Sequence, residues 1–212
     1  MVQDYAAARE NMVENQVRTN DVTNLAIQDA MRLVERERFC PPGKEHLAYA
    51  EAEIEYAPGW RMMFPRDVAK LIEAVDPKPG EKALAIAAPY AASVMVVMGV
   101  EVIARMPAET AKPMGAMLQP YCTQVELGAP NTMSEWGPFD VIVLEGAVPK
   151  ALDIWTAALA PGGRLGVIER SGPVGKARVY IKAQDGSIAS REVFDATPTP
   201  IQGLAPAPSF AF

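Results

Sequence analysis

From Lys82 onward the sequence alternates short apolar runs with helix-like stretches, and this rhythm limits the fold more than any other feature. The runs Ala83–Ala87, Val100–Ala104, Cys122–Leu127, Phe139–Leu144 and Arg164–Ile168 are of strand length, and FDVIVL at Phe139 is the clearest. Strands that are apolar on both faces need cover on both faces, as in a parallel sheet between helices. Ser93–Met98 and Lys150–Leu159 read as crossover helices, the second stopped by Pro161, Gly162 and Gly163. This alternation predicts a mostly parallel α/β sheet. The last runs differ. Ala177–Ala183 and Ile188–Phe194 flank the turn formers Asp185, Gly186 and Ser187, which predicts an antiparallel hairpin.

The first third reads helical. Val22, Ala26, Ala30, Leu33 and Val34 share one helical face, with the cap types Asn20 and Asp21 just ahead. Pro41, Pro42 and Gly43 interrupt the pattern. Pro65 suits the first turn of another helix, along which Val68, Ile72 and Val75 recur until Asp76, Pro77, Pro79 and Gly80 end it. The breaks divide the chain into an N-terminal helical region with a loop, residues 1–80, a sheet core, 81–196, and a Pro-rich tail, 197–212, expected to lie extended on a surface or at an interface.

Composition narrows the function. The net charge of −6 and the scattered basic residues argue against a nucleic-acid partner. Cys40 and Cys122 make neither a disulfide framework nor a zinc spacing, and fit reduced thiols in a cytoplasm. The opening MVQDYAAAREN has no apolar signal core. The most apolar stretch, Ala83–Ala104, is broken by Pro89, Gly99 and Glu101, so no membrane span is expected. His46 is the sole histidine, and no metal site is expected.

Four strings sharpen the picture: MVENQVRTNDV (Met12–Val22), AMRLVERERFCPP (Ala30–Pro42), HLAY (His46–Tyr49) and GPFDVIVLEGAVPKALDIWTAALAPGGRLGVI (Gly137–Ile168). In this order they resemble the protein-L-isoaspartate O-methyltransferase family, whose patterns run near M-V-x-x-Q-[LIV]-R and A-M-x-x-V-P-R-x-x-F-V-P. The resemblance implies a Rossmann-like class I methyltransferase fold with S-adenosylmethionine as cofactor. It also implies damaged protein or peptide as substrate, methylated on an isoaspartyl carboxylate. A carboxylate is already nucleophilic, so such a reaction asks for positioning and desolvation, and no catalytic triad is expected.

The same resemblance marks the cofactor and substrate positions, and here the chain departs from the pattern. The family's [DE]-x-G-x-G-x-G corresponds to AIAAPYA: Ala85 stands for the acid, and Ala87, Pro89 and Ala91 for the glycines. Methyl groups at Ala87 and Ala91 crowd a path that glycine leaves open, and Pro89 has no amide donor. The acid expected after the second strand is replaced by Arg105, which has donors only. Arg61, Met62 and Met63 stand in the substrate loop, with Met63 at the position of a serine. Arg61 reads as a ligand for an acidic group or, more often, a solvated charge. Glu145 follows the fourth strand and reads either as a ligand contact or as a cap on the next helix. Asp140 reads as structural. The string Trp60–Phe64 reads as core or as an exposed contact patch.

These departures predict a family member with weak or no activity. The alternatives are a non-catalytic protein acting through self-association, as a homo-oligomer, or through a partner, and a pocket for another small anionic ligand near Arg105.

Overall fold

The computed structural model describes residues 4–121 and 124–204; Cys122, at the head of one expected strand, lies outside them. Helix α1 (Tyr5–Met12) begins where the Asp4 carboxylate accepts the Ala7 amide at 3.0 Å, and it continues into a π-helical turn over Val13–Val17. The next helix, α2 (Leu25–Leu33), starts later than Asn20 and Asp21 suggest. Its cap is Asn24, whose Oδ1 accepts the Ala26 amide at 2.9 Å, while Asp21 turns left-handed with φ 65°.

Two short strands follow, β1 (Ile54–Ala57) and β2 (Trp60–Met62), paired as a hairpin apart from the main sheet. Helix α3 (Pro65–Val75) opens on Pro65 as its sequence predicts, and buries Val68, Leu71, Ile72 and Val75.

The core then runs β3 (Lys82–Ile86), α4 (Pro89–Val97), β4 (Glu101–Met106), α5 (Ala111–Leu118), β5 (Gln124–Leu127), β6 (Phe139–Val148), α6 (Asp153–Ala157), β7 (Leu159–Glu169), β8 (Gly175–Lys182) and β9 (Ile188–Ala196). Its seven strands lie in the order β5-β4-β3-β6-β7-β8-β9. Strands β3 to β7 are parallel, and β8 and β9 form the expected antiparallel hairpin. Crossover α4 starts earlier than Ser93, at Pro89, and α6 is only five residues because the chain rejoins the sheet at Leu159, beside Phe139.

Packing follows from side-chain size. α4 is apolar on all sides and is enclosed by the sheet, α2 and α3. α3 comes close to β7 at Gly166, where a Cβ would stand 2.6 Å from Val75 Cγ1. At the same contact Arg164 donates to Val75 O at 2.8 Å and to both carboxylate oxygens of Glu81 at 2.7 and 2.9 Å. Asp140 has the structural job expected of it, accepting the Lys82 amide at 2.9 Å. Among the described residues no helix is long and apolar enough to cross a membrane.

Candidate functional site

In open α/β sheets ligands gather at the carboxyl ends of strands where the winding direction reverses. Here that place lies between β3 and β6, the neighbours from which the strand order departs both ways. The turn after β3 is Ala87–Ala88. Ala87 adopts φ 50°, a left-handed conformation that glycine enters readily and alanine does not. Its amide donates to Arg105 O at 2.9 Å, and the Tyr56 hydroxyl reaches Ala87 O at 3.4 Å. Ala85, Ala87, Pro89 and Ala91 are all buried.

Glu145 belongs neither to a loop nor to the cap of the next helix. It lies within β6, 2% exposed, and its carboxylate caps an earlier helix. Oε1 accepts the Ala91 amide at 2.8 Å, in the first turn of α4, and Oε2 accepts the Met63 amide at 3.1 Å. Its pKa is raised: desolvation pushes it up, and Arg36 and the amides of Ala91, Met63 and Tyr90 pull it only part of the way back. All of these hydrogen-bonding neighbours are donors, so the geometry suits the acceptor-only carboxylate.

Arg36 is fully buried behind this carboxylate. Its Nε donates to Ala48 O at 2.9 Å and its Nη2 to Met63 O at 2.7 Å, and its guanidinium stands 4.6 Å from the centre of the Tyr90 ring. Arg36 Nη1 and the Tyr90 hydroxyl are buried without a hydrogen-bond partner among the described residues. Sequence reasoning missed both residues. The one available signal was the position of Arg36 within AMRLVERERFCPP, at the arginine of the family-like string.

The other expected positions separate. Met63 joins the Glu145 cluster through its backbone. Arg61 pairs with Glu55 at 2.7 Å. Trp60, Met62 and Met63 are core, so the string around them is not an exposed patch. Arg105, buried at the end of β4, is held by Glu126 at 2.9 Å and by the Thr132 hydroxyl. An added anion there would have to compete with Glu126. Beyond Arg105 a cavity of about 410 Å³ opens between the loops after β4 and β5, bordered by Trp60, Glu109, Asn131 and Gln202. The Trp60 indole donates to Glu109 at 2.9 Å across it. None of Ala85, Ala87, Ala91 or Glu145 borders this cavity.

A strap also covers the end of β6. Thr199–Ile201 lies along Ala147: Ala147 N donates to Thr199 O at 3.0 Å, and Ile201 N to Ala147 O at 2.8 Å. Glu53 accepts the Thr199 amide at 2.8 Å and its hydroxyl at 2.6 Å. Beneath the strap only about 10 Å³ remains, beside Arg61, Glu145 and Gly146.

Parallel strands wound about the β3/β6 junction and closed by an antiparallel hairpin define a Rossmann-like class I methyltransferase fold. A family model described as protein-L-isoaspartate(D-aspartate) O-methyltransferase matches residues 7–202. The chain belongs to that family. The protein-L-isoaspartate O-methyltransferase of Methylorubrum extorquens strain PA1 is 35% identical over 173 residues, 77% of this chain and 75% of the relative. Protein-L-isoaspartate O-methyltransferase 1 of Rhodopseudomonas palustris strain HaA2 is 33% identical over 168 residues, 76% of this chain and 69% of the relative. A Plasmodium falciparum structure described as a protein-L-isoaspartate O-methyltransferase, in complex with S-adenosyl-L-homocysteine, aligns with a TM-score of 0.76 at 15% identity, over 92% of this chain and 98% of that one.

S-adenosylmethionine is thus the cofactor to test against this chain's own turn. As they stand, the residues here do not fit it. The turn is lined with buried methyl groups, and the free amides of α4's first turn are taken by Glu145.

Proposed function

We propose that this family member retains the scaffold, that its methyl transfer from S-adenosylmethionine to isoaspartyl carboxylates is weak or absent, and that it acts in the cytoplasm by contact with polypeptide. The family match supports S-adenosylmethionine as the ancestral cofactor and damaged protein as the ancestral substrate. The observation that carries the loss is the buried Glu145 carboxylate on the Ala91 and Met63 amides. It lies where Ala85, Ala87, Pro89 and Ala91 stand in for the family's acid and glycines. Methyl transfer to a carboxylate depends on holding both partners in line and away from water, so rate falls with the seating of the cofactor.

On the substrate side, the Met63 backbone is tied to Glu145 and Arg36, and Arg61 is tied to Glu55. Neither is free to take a substrate carboxylate without giving up its present partner. The net charge of −6 favours a polypeptide over a nucleic acid as partner.

Two titrations test the reading. Calorimetry with S-adenosylmethionine and S-adenosyl-L-homocysteine is expected to show no binding at millimolar ligand, and an isoaspartyl peptide is expected to gain no methyl group above background. Micromolar binding, or stoichiometric methylation, overturns it.

A further inference from the structure

Glu145 is a buried ionisable residue within β6, at the ligand end of the sheet. Its carboxylate is bound as a ligand would be: two amides donate to it at 2.8 and 3.1 Å, from two segments far apart in sequence. Arg36 stands behind it. Among the described residues that guanidinium has no carboxylate within ion-pair distance, its Nη1 is unpartnered although fully buried, and the neighbouring Tyr90 hydroxyl is unpartnered too. Buried donors of this kind are costly unless an acceptor faces them. The cluster therefore holds more hydrogen-bonding capacity for an anion than the Glu145 side chain uses.

We propose that the amides of Met63 and Ala91, backed by Arg36, form a carboxylate seat whose resident occupant is the Glu145 side chain, and that a free small carboxylate takes the seat when that side chain is removed. The inference rests on the reading that S-adenosylmethionine does not occupy this turn. Glu145→Ala deletes a CH2–COO⁻ fragment, which is the size of acetate. What remains is a gap with directed amide donors and a buried cation nearby.

Acetate is the probe, with chloride at matched ionic strength as control, and thermal unfolding of full-length protein is the readout. Glu145→Ala is expected to melt below the wild type and to recover progressively with acetate, as mass action requires of a ligand that binds only the folded state. The wild type, with the seat filled, and Glu145→Gln, which keeps the space filled without the charge, are expected not to respond to acetate. An equal response in all three proteins, or none in any, overturns the proposal. If Glu145→Ala is recovered only unfolded, refolding in acetate followed by far-ultraviolet circular dichroism gives the same decision: recovery in acetate but not in chloride supports the seat, and no recovery overturns it. S-adenosyl-L-homocysteine titrated into the wild type in parallel separates the two readings. Tight binding sinks the proposed function, whereas absent rescue without such binding sinks the seat alone.

Discussion

Arg36 carries a charge in full burial, and its use is local: two backbone carbonyls, the Tyr90 ring and the field of Glu145. Removing such a group leaves its partners stranded. Arg36→Met, which keeps the volume but strands the buried carbonyls of Ala48 and Met63, is expected to lower unfolding free energy by about 2–4 kcal/mol, read from urea denaturation; a change within error would show that the cluster does not support the fold. The sequence revealed what the turn had lost, because glycine and acid letters are visible as letters. What filled the space was not visible. Arg36 stands between Glu35, Glu37 and Arg38, and nothing in that polar string says which member turns inward. Met63 reads from the sequence as a serine replaced, a statement about its side chain; what meets the carboxylate is its amide. Glu145 was placed near the right strand end, but its helix was misjudged because the amides it meets lie far away in sequence.

Elements were legible in proportion to their length and apolarity. FDVIVL announced β6, and Pro65 with its apolar repeat announced α3. The β1–β2 hairpin passed unseen, since strands of four and three residues carry too little pattern to read. The strap over β6 was equally hidden, being a matter of long-range contact. Its fit depends on Gly146, which adopts φ 123° and whose Cβ would stand 2.7 Å from Ile201 Cγ1. Gly146→Ala therefore meets both backbone strain and a clash. It is expected to cost about 1–3 kcal/mol and to expose the chain near Thr199 to limited proteolysis. Unchanged melting and unchanged cleavage would mean that the strap contributes nothing.

At the scale of the whole molecule, the helical region and the sheet behave as one packed body, joined where Arg164 of β7 grips Val75 O and Glu81. The Glu81 carboxyl loses solvation there, which raises its pKa, but the Arg164 bonds and the Lys78 amide outweigh this and set it below the ordinary 4.5. A depressed carboxyl stabilises the folded state above its unfolded value and ceases to do so as pH falls through the folded one. Glu81→Gln is accordingly expected to cost on the order of 1 kcal/mol at neutral pH, with the gap to the wild type closing in acid below 4.5; a gap constant with pH would deny the ion pair its role. The order of synthesis adds a last consequence. Thr199–Ile201 leaves the ribosome after every strand of the sheet, yet it is clamped by Glu53, made long before. A nascent chain thus carries Glu53's half of the clamp open until β9 has been made, and the end of β6 is covered only after the sheet beneath it is complete.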